Sequence, residues 1–364
     1  MPAAANSQTF FSFVKPVFCR FETMLQTMRI FFILLVLVFL GCDSREIRLQ
    51  RFLLQGNEAL SEQNYEGADY YFQEALKLDP CFKDALNNLG VLNSNRKRFD
   101  VAIDYFNKAV SCDAGFLPAY FNRANSFYES KEYYRLLNDA DIILKVKPDT
   151  AVVFVLRGLA LSKLRKYDDA LTAFSKAIEL EPANPEHYIN RGTVKYYQRK
   201  WIEAALDFKK SLGMQPSQAN ALNALGLIAS DNYQFDSARY YFNEALLISP
   251  NQPYFLNNLG YVYLQQMQFE KAVELINRSI TLDPDNAWAY RNKGIYYLLK
   301  EDYANSVRLL KQALAMDESV DKIHLYYGLA LLKSGDTANG CLQLKSAKEN
   351  NEGKISDEII KRCR

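Results

Sequence analysis

The chain has 364 residues, enough for two or three ordinary domains, yet its 11 prolines and 15 glycines form no linker-rich stretch and 49% apolar residues suffice for one long core. Lys and Arg number 44 against 42 Asp and Glu. Outside residues 1–41, which hold Lys15, Arg20 and Arg29 against Glu22, the two signs are equal, and this argues against a basic nucleic-acid-binding surface.

The first element is a targeting segment. Ile30–Leu40 (IFFILLVLVFL) is a continuous apolar run that as a helix spans roughly 16 Å, about half the hydrocarbon core. It is too short to cross a bilayer and fits the apolar region of a secretory signal, with Arg29 as the positive flank and Met28 as an alternative start. The run ends Val38-Phe39-Leu40-Gly41-Cys42, which resembles a bacterial lipobox, although Phe39 stands where that pattern usually has Leu. The resemblance implies a signal peptide over 1–41, lipidation of Cys42, and a short tether over 42–48. An ordinary signal peptide or an uncleaved anchor is the alternative. Acyl chains on Cys42 would hold the mature chain on a bacterial membrane, in the periplasm or at the surface, without a spanning helix.

Beyond the tether the sequence is periodic. Prolines stand at 80, 148, 182, 216, 250 and 284, every gap being 34 or twice 34, with Ala114 in the skipped place. With proline as position 32, repeats begin at Leu49, Lys83, Leu117, Ala151, Pro185, Ala219, Pro253, Ala287 and Asp321. Position 8 is glycine in every repeat but the third, which has Ala124. Position 20 is mostly alanine, as at Ala68, Ala102 and Ala170, and position 24 is large, as at Phe72, Phe106, Phe174, Phe208 and Phe242. Small residues at 8 and 20 let two helices approach, and the large residue at 24 fills the space between them. Proline at 32 falls where a second helix must stop. The third repeat exchanges these sizes, with Leu136 and Ile143 large and Ala140 small; a local repacking and a bend that shapes a binding surface are both open readings.

These residues resemble the tetratricopeptide repeat family over 49–350. The resemblance implies an all-α, right-handed superhelical solenoid of nine helix-turn-helix repeats over 49–352. A short helix in 353–364, with Ile355, Ile359 and Ile360 on one face, is expected to cover the last open repeat.

Four cysteines follow Cys42. Cys81 precedes the first helix of repeat two and Cys112 ends its second helix, so an antiparallel hairpin brings them together. Cys341 and Cys363 lie ten residues to either side of the turn at Asn351–Gly353. Disulfides Cys81–Cys112 and Cys341–Cys363 are therefore expected in an exported chain, the alternative being four buried thiols.

No chemistry of catalysis stands out. The only histidines, His187 and His324, are in repeats five and nine, too far apart along such an array to share a metal, and His324 occupies a packing position. No paired-cysteine spacing, phosphate-binding glycine loop or nucleophile elbow occurs, so no catalytic residue, metal or cofactor is expected. What remains is surface. In the family the first (A) helices line a groove, and position 6 here supplies Asn88, Asn122, Asn190, Asn258 and Asn292. Such a series resembles the asparagine ladders with which some members grip an extended peptide, since each amide both donates and accepts. The other reading is that these amides bond a neighbouring helix or water. Tyr128, Tyr196, Tyr261 and Trp288 project from the same face and are candidate interface anchors. The clamp with which chaperone-binding relatives hold a carboxylate is broken by Leu53, Pro118 and Asn122. The expected function is a non-catalytic scaffold or adaptor tethered to the cell envelope. Its partners would be proteins or extended peptides. The alternative is a pilotin-like assembly factor for a secretion, pilus or surface machine.

Overall fold

The computed structural model describes residues 44–353 together with 356, 359 and 363. The signal segment, Cys42 and most of the expected capping helix lie outside these residues. The described residues contain eighteen helices and no strand, paired as nine A–B hairpins, as the repeat pattern requires. None of these helices is long and apolar enough to cross a membrane.

The chain forms two compact units, residues 1–143 and 144–364. The first contains α1 (Arg45–Ser61), α2 (Tyr65–Leu78), α3 (Lys83–Asn95), α4 (Phe99–Cys112), α5 (Leu117–Glu129) and most of α6 (Tyr133–Val146). The second contains α7 (Ala151–Lys163), α8 (Tyr167–Leu180), α9 (Pro185–Tyr197), α10 (Trp201–Met214), α11 (Ala219–Asp231) and α12 (Phe235–Ile248), then α13 (Pro253–Gln265), α14 (Phe269–Leu282), α15 (Ala287–Leu299), α16 (Tyr303–Met316), α17 (Ile323–Ser334) and α18 (Thr337–Glu349). The break falls inside α6, the helix in which the third repeat reverses its large and small residues. Helix α1 begins at Arg45, so the segment read as a tether is helical from there on. Ser44 accepts from the Ile47 amide and caps it.

The sizes at positions 8 and 24 explain each hairpin. A Cβ added at Gly226 would come within 2.6 Å of the Phe242 ring, and the same contact recurs from Gly56 against Phe72 to Gly328 against Leu344. The A helix thus rests its backbone on the position-24 side chain of its own B helix. In repeat three Ala124 and Ala140 are small, and Leu136, fully buried, supplies the volume from position 20.

Each A helix ends in a Schellman turn. In repeat one the Asn64 amide donates to the Ala59 carbonyl and the Gln63 amide to that of Leu60. The turn needs a left-handed residue at position 15, and eight repeats place a non-glycine there, from Gln63 (φ 60°) to Glu301 (φ 60°); only repeat nine uses Gly335. Within each unit consecutive helices pack together and each A helix also touches the next A helix, so the A helices form one continuous face.

At the far end α17 starts two residues late, after a left-handed Lys322 that provides no side-chain cap. Buried Glu352, in the slot that holds proline in six of the other repeats, accepts from the Leu325 amide at 2.9 Å and supplies the missing acceptor.

Candidate functional site

The A-helix face is the surface the sequence singles out. In the first unit its asparagines form a relay. Asn122 donates to Asn87 at 2.9 Å, Asn87 to Asn88 at 3.1 Å, and Asn88 to Asn57 at 2.6 Å. The four carboxamides point the same way along the chain of bonds, so each polarises the next. Each donor in the series uses one of its two N–H groups.

The second unit repeats the motif with one interruption. Asn258 donates to Asn223 at 3.0 Å, and Asn292 to Asn257 at 2.8 Å. Three of these bonds follow one rule across the two units: an amide at position 6 reaches an amide at position 5 of the preceding repeat, thirty-five residues back, whereas Asn88 reaches Asn57 at position 9 of repeat one, thirty-one back. Asn190 breaks it, because the residue thirty-five before it is Val155, whose side chain accepts nothing. Asn190 is half-buried, and among the described residues its amide makes no hydrogen bond. Asn292, by contrast, is fully buried, and its carbonyl oxygen takes two hydrogen bonds from Arg291. The partners Asn87, Asn223 and Asn257 were not anticipated from the sequence; the signal that would have found them is the recurrence of Asn–Asn pairs at that separation.

The aromatic candidates divide in the same way. Tyr196 donates its hydroxyl to Asp231 at 2.7 Å. Burial first, and then the adjacent carboxylate, pushes the Tyr196 phenol far above its ordinary range. Asp231 is itself pushed up by burial, against the Tyr196 hydrogen bond that draws it down. Tyr261 and Trp288 flank the buried Arg291 guanidinium, 5.3 and 5.0 Å from their ring centres, and Arg291 also donates to the Asp321 carbonyl at 2.6 Å. Tyr128 is half-buried and meets Tyr133 edge-on at 5.9 Å; burial raises its phenol, with Tyr133 and Glu129 adding to the effect. At the start of repeat nine, Asp321 acts electrostatically on Tyr196 and Asp231, and Lys322 on Asp231, three to four repeats back.

The cysteines are joined as Cys81–Cys112 and Cys341–Cys363, with Cα separations of 5.4 and 5.3 Å. His187 is buried with Nε2 against Glu181 at 2.9 Å, and His324 meets Gln343 at 2.8 Å. Among the described residues no group of three His, Cys, Asp or Glu side chains is placed to hold a metal.

Family comparisons match the tetratricopeptide repeat over residues 53–115, 189–254 and 291–350 with one form of the repeat, and over 151–184 and 253–319 with two others. Among curated proteins, the DnaJ homolog subfamily C member 7 homolog of Dictyostelium discoideum is 26% identical over 149 residues, 36% of this chain and 28% of that protein. The heat shock protein sti1 homolog of Schizosaccharomyces pombe is 30% identical over 92 residues, 25% of this chain. The chain thus spans only 28% and 16% of these relatives' own lengths. Among solved structures, the APC/C hetero-tetramer Cut9–Hcn1 gives a TM-score of 0.61 at 18% identity, over 88% of this chain and 64% of that one. Pseudomonas aeruginosa pilF gives 0.51 at 21% identity, over 62% of this chain and 99% of its own. These structural likenesses show the fold.

Proposed function

The chain belongs to the tetratricopeptide repeat family, and from that premise we propose that it is a non-catalytic scaffold that holds an extended segment of a partner protein along its A helices, while a lipid on Cys42 fixes it to a bacterial cell envelope. The observation that carries the first half is the amide relay Asn122–Asn87–Asn88–Asn57. Carboxamides locked by one another present their second N–H groups and free lone pairs at fixed positions, with their rotamers already set. An extended backbone offers alternating acceptors and donors to match, and binding it costs little further ordering on the protein's side. The half-buried Asn190 offers a whole amide in the second unit, on the same helix as Tyr196. The second half rests on the apolar run ahead of Cys42 and the lipobox resemblance.

A photocrosslinking residue at Asn190, installed in living cells, tests the scaffold. It should capture a defined polypeptide that the same residue at exposed Lys209 on α10 does not. Capture from Lys209 alone would move the contact surface to the B helices and favour the assembly-factor reading. Incorporation of labelled fatty acid that persists in Cys42→Ser would remove the proposed anchor.

A further inference from the structure

We propose that the exposed side of α1 rests on an anionic phospholipid surface, so that the first repeat is closed by the membrane rather than by protein. The inference rests on the reading that Cys42 carries the lipid, and it assigns the residues that meet the headgroups.

Helix α1 opens the stack, and among the described residues no repeat covers its outer side. At position 3 the next two repeats bury Ala85 and Ala119 completely; in repeat one the same position is Arg51, exposed. A terminal repeat of a soluble solenoid needs a polar outer face. Here Ile47 and Leu54 are instead 54% and 68% exposed. Ile47, Arg51 and Leu54 follow one another at steps of four and three, the spacing of one helix face, with exposed Arg48 beside Ile47. Over residues 45–54 there are three arginines and one acid, Glu46, which bonds Gln50. Arg45 is committed to the first hairpin, donating to the Leu78 carbonyl at 3.0 Å and pairing with Asp79 at 3.3 Å. This anchors α1 while its other side stays outward.

Distance supplies the second argument. Only three residue steps separate Cys42 from Arg45, a reach of at most about 11 Å for extended chain. A lipidated Cys42 would thus hold this face within reach of the headgroup layer. Two apolar side chains to enter the interface and arginines to lie among phosphates are the chemistry of an anionic bilayer surface. Long arginine stems let the charge stay with the phosphates while the apolar tips go deeper.

The test uses the lipidated protein, reconstituted into vesicles of brominated phosphatidylcholine with or without about one third phosphatidylglycerol. The native chain has two tryptophans, Trp201 and Trp288, and Leu54→Trp adds a third at the proposed contact. Flotation with vesicles at high salt reads the anchor; quenching of the added emission by bromine reads the docking. We expect the added emission to be quenched at least about twofold more with phosphatidylglycerol present, and this excess to vanish in Leu54→Trp carrying Arg48→Glu and Arg51→Glu. A protein that floats while the added tryptophan stays unquenched overturns the docking and leaves the anchor standing. Equal quenching without phosphatidylglycerol overturns the anionic assignment. Failure to float removes the anchor, and the absence of quenching in that same sample removes the docking with it. Retained helicity and melting temperature confirm that the arginine variants are folded, since both side chains are exposed.

Discussion

Arg191 grips Asp207 through two hydrogen bonds of 2.9 and 2.7 Å, sixteen residues along the chain, and Arg123 holds Asp139 in the same way at 2.8 and 2.7 Å. Each arginine also reaches sixteen residues back, Arg191 to the Ser175 hydroxyl and Arg123 to the Asn107 amide oxygen. Asp207 and Asp139 are buried, and Lys195 approaches Asp207 at 2.9 Å as well. One side chain thus ties an A helix to its own B helix and to the B helix before it.

Removing the anion from this arrangement should be severe. Asp207→Ala leaves Arg191 and Lys195 together with only the more exposed Glu203, 3.9 Å from Lys195, to offset them, at an expected cost of about 3–5 kcal/mol. Replacing Arg191 and Asp207 together by apolar residues should recover most of that loss. Urea unfolding with hydrogen exchange resolved by helix checks this; a double variant as unstable as the single one would contradict it.

The glycines separate by what lies above them. Gly226→Ala would drive a methyl into the Phe242 ring and should cost about 1–3 kcal/mol through forced repacking. Gly213→Ala, inside α10 with nothing within 4 Å, should instead stabilise by about 0.5–1 kcal/mol through helix propensity alone. Melting temperatures of the two variants should move in opposite directions.

Asp231 has a pH signature. Burial raises its folded-state affinity for a proton above that in the unfolded chain. The folded state therefore binds the proton more readily, and the favourable contribution is present at low pH and lost as pH rises through the folded value. Asp231→Asn keeps an acceptor for the Tyr196 hydroxyl and removes the charge. It should stabilise the second unit near neutral pH, by roughly 1 kcal/mol or less because the group keeps some solvent, with the gain disappearing in acid. A gain that grows on acidification would contradict this sign.

The turn at position 15 is open to improvement. Met267 and Tyr233 hold left-handed conformations at φ 59°, and their side chains are exposed. Glycine at either place removes the steric cost of about 1–2 kcal/mol, partly offset by its greater freedom when unfolded. A rise in melting temperature of a few degrees for Met267→Gly is expected.

Much of the fold was legible because a tandem array turns contact into a constant offset. Gly226 and Phe242 are sixteen apart, and so is every pair like them, which is why the sizes at positions 8 and 24 reveal the hairpin from the sequence alone. Arg191–Asp207 has that offset too, and the Asn122–Asn87, Asn258–Asn223 and Asn292–Asn257 bonds have thirty-five. These polar pairs are harder to read because they occur in only a few repeats. The depth of Asn292 could not be read at all. It depends on Arg291 being folded over it beneath Trp288 and Tyr261, an arrangement found at no other described repeat. The start of α1 was hidden for a local reason, since Ser44 caps a helix ahead of the periodic pattern.

The carboxylate of Glu352 on the Leu325 amide bears on how such an array grows. Placing the proline of an interior unit such as repeat seven in that slot would leave the first turn of α17 without its acceptor. Growth by copying repeat eight would keep a carboxylate in the slot, through the counterpart of Glu318, whereas growth by copying a proline-bearing unit would not.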